Sequence, residues 1–243
     1  MKGIVLAGGS GSRLYPLTKV TNKHLLPVGR EPMIFHPISK LLDAGIRDIL
    51  VVTGTEHMGA VVGLLGSGAD FDCDFTYRVQ DQAGGIAQAL GLARDFSQGE
   101  RMVVILGDNI FDDDLARYVD NFAKQEAGAR ILLKEVEDPE RFGVADLDGQ
   151  HIVGIEEKPS SPKSKYAVTG IYMYDERVFE IISTLEPSAR GELEITDVNN
   201  AYVQRGTLQY DVLKGEWTDA GTFESLARAN KLAMKTKREE TDR

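Results

Sequence analysis

The sequence predicts a single α/β domain, a three-layer α/β/α arrangement around a mixed, mostly parallel central sheet. Three observations carry that prediction. Short β-branched runs alternate with amphipathic stretches from the N-terminus to about residue 111, the pattern of strand–helix–strand units. The first run breaks into a glycine-rich turn, "GGSGSR" (8–13). After about residue 130, strand-like runs follow one another with only short gaps, and no Pro/Gly/Ser-rich linker separates the two regions.

Taken in order, "GIVLA" (3–7) reads as the first strand. "PMIFHPISKLLDAG" (32–45) reads as a helix, with Pro32 near its first turn, Gly45 as its stop and Pro37 able to bend or delay it. "DILVVTG" (48–54) is a strand, "MGAVVGLLGSG" (58–68) a short helix ending in glycine, and "DFTYRVQ" (74–80) an alternating strand. "GIAQALGLARDF" (85–96) is helical, and "RMVVILGDNIF" (101–111) is a buried strand running into a polar turn. Asp112, Asp113 and Asp114 suit a helix N-terminus, where acids offset the dipole. "ARILLKEV", "FGVADLD", "HIVGIEEK" and "YAVTGIYMY" are strands, with a hairpin signal at Asp148-Gly149. Helices over roughly 176–185 and 194–205 surround "PSARGELEITD". The strand "LQYDVL" and the helix "TFESLARANKLAMK" complete a domain over 1–235, and "TKREETDR" (236–243) is a polar tail expected to fray.

Composition narrows the function classes. The chain has 243 residues, 42% of them hydrophobic, enough to bury a substantial core. No apolar run approaches the roughly 20 residues that span a bilayer, and no basic segment followed by an apolar one suggests a signal peptide. One cysteine, Cys73, excludes an internal disulfide. A net charge of −10 argues against nucleic acid and anionic membranes as partners, while leaving room for a local basic pocket. The cytoplasm is the expected location.

In open α/β sheets, ligands bind beyond the carboxyl ends of the strands, so "GGSGSR", "VQDQAGG" and "GDN" are expected at one edge. The glycine turn is not a P-loop, because no Gly-Lys-Ser/Thr follows at the required distance. It is not a dinucleotide fingerprint either: Gly9-Ser10-Gly11 supplies the first half, but Leu14 stands at the third glycine and the next strand is delayed to about residue 48. What remains is a turn with free backbone N–H groups, then Arg13 and Lys23. Such a nest binds anionic oxygen, a guanidinium forks onto two phosphate oxygens, and a lysine adds a point charge. That set suits a triphosphate.

The block from Leu6 to Thr18, followed by Lys23-His24-Leu25-Leu26-Pro27, resembles the signature of the sugar-nucleotide pyrophosphorylases, which are nucleotidyltransferases. "YRVQ", "GGIAQAL", "LGDNIF", "DPERFGVA", "EEKP", "PKSKYAVTGIY", "PSARGELEITD" and "WTDAGT" fall in that family's order, so the resemblance extends to about residue 235. It is similar within the family to the subgroup that transfers a thymidylyl group from dTTP to glucose 1-phosphate. The implied fold is Rossmann-like, of the nucleotide-diphospho-sugar transferase type. Longer members continue for several tens of residues into helices tied to oligomer contacts and an allosteric nucleotide site, so a short form is expected here. His24 and Asp81 stand where the longer form commonly has glutamine and proline.

The resemblance implies that Arg13 and Lys23 are catalytic, holding the reacting phosphates. Leu6, Gly8, Gly9, Gly11 and Ser12 are implied to bind the nucleotide, with Gln80 and Gly85. Asp108 and Asp219 are implied to hold Mg2+, an ion that takes one or two carboxylates beside phosphate oxygens and water. Asn109, Gly143, Glu157, Lys158, Val168 and Glu192 are implied to bind the sugar phosphate. A homo-oligomer is the family habit. The Gln80 amide offers a donor and an acceptor to a thymine or uracil edge, and it can sit either way round. His24, His36, His57 and His151 show no metal-ligand spacing and are expected in surface or packing roles, as are Cys73, Tyr15 and Trp217. Two alternatives stand beside the thymidylyl reading: a uridylyltransferase and a non-catalytic nucleotide-sugar sensor.

Overall fold

In a computed structural model, the backbone is described for residues 1–241 and the side chains for residues 1–235. The first apolar run shows why the sheet forms. In β1 (Lys2–Ala7), Ile4 and Leu6 face one hydrophobic cluster, while Val5 and Ala7 face another on the opposite side. A strand buried on both faces reads as a continuous apolar run because its alternate side chains both find cores.

The first half of the chain continues through a small hairpin of β2 (Pro27–Val28) and β3 (Glu31–Pro32), then α1 (Phe35–Asp43), β4 (Asp48–Gly54), α2 (Met58–Leu65) and β5 (Asp74–Gln80). After α3 (Ile86–Gly91) and α4 (Arg94–Ser97) come β6 (Met102–Leu106), β7 (Asn109–Phe111) and α5 (Leu115–Lys124). The second half holds β8 (Ala129–Glu135), β9 (Gly143–Asp148), β10 (His151–Glu157), β11 (Tyr166–Tyr174), α6 (Val178–Ser183), α7 (Ile195–Gln204), β12 (Leu208–Val212), β13 (Trp217–Asp219) and α8 (Phe223–Thr241).

The central sheet has nine strands, in the order β10-β9-β11-β6-β1-β4-β5, with β8 pairing β11 and β12 pairing β8. The run β6-β1-β4-β5 is parallel. β11 is antiparallel to β6, β8 and β9, so it joins the two halves. Helices α3, α6 and α7 cover one face, and α1, α2 and α5 the other. A smaller third cluster, including Leu14, Met33, Ile110, Ala229 and Leu232, seats α8 against β2 and β7.

Three elements differ in detail from the sequence reading. The helix expected from residue 32 begins at Phe35, because Pro32 pairs with Pro27 in the small hairpin. Pro37 then lies in the first turn, where a missing N–H costs nothing. The helix expected over 85–96 is two short ones, the first closing at Gly91. The run 101–111 turns at Gly107-Asp108, as expected, but Asn109–Phe111 then form a further strand, β7, paired with β13. The polar tail expected at 236–243 has its side chains outside the described residues, and the backbone of α8 enters that segment as far as Thr241.

Candidate active site

The strand ends converge as their topology requires. Beyond the carboxyl ends of β1 and β6 lies a cavity of about 310 Å³, lined by Gly8, Arg13, Lys23, Gln80, Gly85 and Asp108 among others. A second cavity of about 180 Å³ adjoins it, lined by Asn109, Gly143, Glu157, Lys158, Val168 and Asp219 among others. Arg13, Ile86, Leu106 and Asp108 line both, so the two form one trough with Arg13 and Asp108 at its waist. The segments expected to meet at one edge do meet there.

The glycine loop owes its path to backbone freedom. Gly9 and Gly11 have φ of 93° and 61°, in the left-handed region that side chains disfavour. A β-carbon at Gly11 would come within 2.8 Å of Thr18, whose hydroxyl donates to the Gly11 carbonyl at 2.9 Å. Gly8 is bare for another reason: a β-carbon there would lie 2.8 Å from Gln80 Oε1. Leu6 lines the trough and Ser12 begins the short turn that carries Arg13. The Arg13 guanidinium reaches across to Gly221, its Nη2 lying 3.2 Å from where a β-carbon there would stand.

Asp108 and Asp219 come from distant segments and are brought together by one ladder. Asn109 of β7 pairs with Asp219 of β13, and the Ala220 N–H donates to the Asp108 carbonyl at 2.8 Å. Lys23 Nζ pairs with Asp108. Burial pushes the Asp108 carboxyl up, but the charge of Lys23 and hydrogen bonds from Lys23 and Asn109 outweigh it and hold the pKa at about 2. Asp219 moves the other way: burial and the Asp108 charge raise it, against Arg141 and Arg13. His24 is buried between these groups, with Nδ1 2.8 Å from Asn22 Oδ1. Burial and the Lys23 charge lower its pKa to about 3, so it is neutral.

At the far end, Gly143 pairs with Glu157 across the β9–β10 hairpin. Glu157 accepts from the Thr196 hydroxyl at 2.8 Å and lies 3.3 Å from Lys158 Nζ. Lys158 has a φ of 46°, strained for a residue with a side chain, and its N–H is held by the Phe142 carbonyl at 2.9 Å. Such strain, about 1–3 kcal/mol, persists where surrounding structure over-determines it, commonly at functional sites. Val168 lines the trough and stands where β11 shifts register against β8.

Some placements differ from the sequence reading. Asn109, expected at the sugar phosphate, lines the smaller cavity though it is 2% exposed. Its Oδ1 accepts from Trp217 Nε1 and the Gly170 N–H, and its Nδ2 donates to Asp108, so its amide braces the trough wall. Glu192, also expected at the sugar, lines the larger cavity and pairs with Arg190 of the sugar-end network, as the Leu193 N–H bonds the Gly84 carbonyl and draws that segment inward. Tyr15, expected to pack, is 57% exposed, on a loop that also projects Leu17 and Val20. Asp114 caps α5 through the Ala116 N–H, as the acidic run predicted.

Sequence reasoning passed over three residues. Arg141 lines the smaller cavity and reaches Asp219 at 3.5 Å. Arg190 joins Glu157, Glu192 and Glu194 in one network. Gln88 meets Gln80. Arg141 and Arg190 are cations inside "DPERFGVA" and "PSARGELEITD", and that was the available signal.

A trough that offers a phosphate nest, two convergent cations and two facing carboxylates defines a nucleotidyl-transfer site. Residues 2–236 match the Nucleotidyl transferase family, and the chain belongs to it. Its curated relatives include the glucose-1-phosphate thymidylyltransferase of Neisseria meningitidis serogroup A, 47% identical over 94% of this chain and 81% of the relative. That of Mycolicibacterium smegmatis is 45% identical over 95% of this chain and 81% of the relative. Among solved structures, a candidate glucose-1-phosphate thymidylyltransferase from Bacillus anthracis, crystallised in complex with sucrose, superposes with a TM-score of 0.93. It is 65% identical, covering 96% of this chain and 95% of that one. A UDP-glucose pyrophosphorylase complexed with UDP-glucose keeps the fold at a TM-score of 0.83 and 26% identity, over 96% of this chain and 98% of that one.

Proposed function

We propose that this chain condenses dTTP with α-D-glucose 1-phosphate to give dTDP-glucose and pyrophosphate. The observation that carries the reading is the single trough. Its nucleotide end, with Gly8, Gln80 and Gly85, and its sugar end, with Gly143, Glu157 and Lys158, meet at Arg13 and Asp108. The thymidylyltransferase relatives, similar over most of both chains, support the choice of substrates.

The sugar phosphate is already an anion near neutral pH, so its oxygen attacks the α-phosphorus in line without a general base, and pyrophosphate leaves. The obstacle is bringing two polyanions together, which makes catalysis a matter of position and charge. The loop from Gly8 to Ser12 cradles the triphosphate, Arg13 neutralises the departing pyrophosphate, and Lys23 draws the attacking oxygen toward phosphorus. Lys158 holds the phosphate of the sugar and Glu157 its hydroxyls, with Gly143 and Val168 contributing backbone. Arg141 and Arg190 add positive charge at that end, and Asn109 keeps Asp108 and Trp217 aimed. Asp108 and Asp219 fit a divalent cation: both are carboxylates in the trough wall, and burial, with the Asp108 charge second, raises Asp219, a cost a cation would offset. Bound there, Mg2+ supplies positive charge against the charge that develops on the phosphates.

The product is an activated sugar, and we place the reaction at the start of dTDP-deoxysugar synthesis, such as that of dTDP-rhamnose, in the cytoplasm and in a homo-oligomer. The test is pyrophosphate release with glucose 1-phosphate and Mg2+, comparing dTTP, UTP, CTP, GTP and ATP. Fastest release with dTTP is expected. A clear preference for UTP makes the protein a uridylyltransferase, and no release with any triphosphate leaves it a sensor.

A further inference from the structure

Gln80 and Gln88 form an amide pair whose orientation is set by backbone groups that cannot change roles. The Gly84 N–H, always a donor, is shared between the Gln82 carbonyl at 2.8 Å and the Gln88 amide at 3.1 Å, so the amide atom it meets is the acceptor Oε1. The Gly85 carbonyl, always an acceptor, lies 3.1 Å from the Gln80 amide, so the atom it meets is the donor Nε2. Those two atoms face each other at 2.7 Å, a donor against an acceptor. Turning either amide over sets like against like at two contacts. The Gln80 nitrogen therefore spends its protons on Gly85 and Gln88, and its oxygen stands free beside Gly8 in the wall of the larger cavity. Two glycines make room for the pair: a β-carbon at Gly8 would lie 2.8 Å from Gln80 Oε1, and one at Gly84 would lie 2.5 Å from the Gln88 amide carbon.

We infer that Gln88 is a positioning residue for base selection: it locks Gln80 with an acceptor toward the base, so that the site takes pyrimidines carrying an N3–H and refuses cytosine. This rests on the nucleotidyl-transfer reading of the same trough. Thymine and uracil present a donor at N3 flanked by carbonyl oxygens. Gln80 Oε1 accepts that proton, and the Gly85 N–H, which has no partner among the described residues, is free to donate to a neighbouring carbonyl oxygen. Cytosine presents an acceptor at N3 and opposes Oε1 with a lone pair. A site built to hydrogen-bond one edge rejects the analogue that leaves its polar groups unpaired. Without Gln88, one fewer contact opposes turning the Gln80 amide over to donate to cytosine.

The test is the ratio of kcat/KM for dTTP to that for dCTP, by pyrophosphate release with glucose 1-phosphate, with UTP as an internal control. In Gln88→Met one of the two contacts that orient the Gln80 amide is gone, only the Gly85 carbonyl still opposing a turn, and the dTTP:dCTP ratio falls at least about tenfold. The dTTP:UTP ratio stays unchanged, because both bases carry N3–H. Gln88→Glu keeps an acceptor toward Gly84 and Gln80 and restores the wild-type ratio. Should Gln88→Met fail to fold, Gly84→Ala displaces the Gln88 amide and lowers the same ratio. A folded Gln88→Met or Gly84→Ala enzyme with the wild-type ratio overturns the inference, as does a Gln88→Glu enzyme as unselective as Gln88→Met. Absence of dTTP turnover in the wild type overturns the functional reading, and the inference with it.

Discussion

The two ends of the trough hold their charges differently. At the waist, the side chains of Lys23, Asp108 and Asp219 are 14%, 12% and 16% exposed, with only Arg13 among the waist charges exposed. At the sugar end, those of Lys158 and Arg190 are 47% and 44% exposed, in a network with Glu157, Glu192 and Glu194. Charges withdrawn from water act strongly on one another and escape salt screening, whereas exposed pairs are worth little and are screened. In the proposed reaction, the waist would be preorganised around the reacting phosphorus. The other end would be a softer, wetter surface that collects the sugar phosphate. Rate is expected to live at one end and substrate capture at the other.

The largest effect expected is at the waist. Lys23→Ala lowers kcat by two orders of magnitude or more, equivalent to about 3 kcal/mol for one lost charged contact in such a site. Arg13→Ala does the same, with the fold retained by circular dichroism. A variant of either residue that keeps wild-type kcat/KM removes that residue from the chemistry and breaks the contrast.

Acid stability sharpens the contrast next. His24 has a folded-state pKa of about 3 against an ordinary value of 6.5, lowered by burial and then by Lys23. Below 6.5 the unfolded chain takes up a proton that the folded protein refuses. Stability therefore falls as pH drops from 6.5 toward 3, by up to about 1.4 kcal/mol per unit. Asp108 adds a loss at lower pH: its stabilisation is complete above 3.8 and disappears as pH falls through about 2. Thermal melts across this range should show Tm falling with pH, and His24→Gln should flatten the upper part of the slope. An unchanged slope in that variant removes His24 as the cause.

The same buried and exposed divide explains what was legible in the sequence. Strands with cores on both faces, such as residues 3–7 and 101–106, announce themselves as apolar runs. The glycine loop, Arg13 and the turn at Asp108 lie next to those strand ends, so local pattern located them. Arg141, Arg190 and Gln88 could not be placed that way. Arg190 reaches the trough because the segment around it is hydrogen-bonded to Gly84, more than a hundred positions earlier in the chain. The Lys23–Asp108 pair likewise joins residues far apart in sequence. Asn109 lines the trough beside its motif neighbour Asp108, and its amide also bonds Trp217, Gly170 and Asp108. Periodicity cannot report which polar atoms a tertiary fold has already used.

The smallest effects are expected at the sugar end, and they differ in kind. Lys158→Ala raises KM for glucose 1-phosphate roughly tenfold, about 1.4 kcal/mol, while kcat falls much less. Arg190→Ala has a smaller effect, because its guanidinium is already shared among Glu157, Glu192 and Glu194. Removing it also leaves those carboxylates to repel the incoming phosphate. Salt separates the two contributions: raising ionic strength from about 0.01 to 0.15 M shortens the screening length from about 30 to 8 Å. That change should raise the wild-type KM for glucose 1-phosphate and shrink the Lys158→Ala and Arg190→Ala penalties together, while the Lys23→Ala loss in kcat stays constant. If the Lys23→Ala loss shrinks with salt as the others do, the waist is solvated and the division between a dry reacting centre and a wet capturing surface fails. If only the sugar-end penalties move, burial is what separates catalysis from capture along this trough.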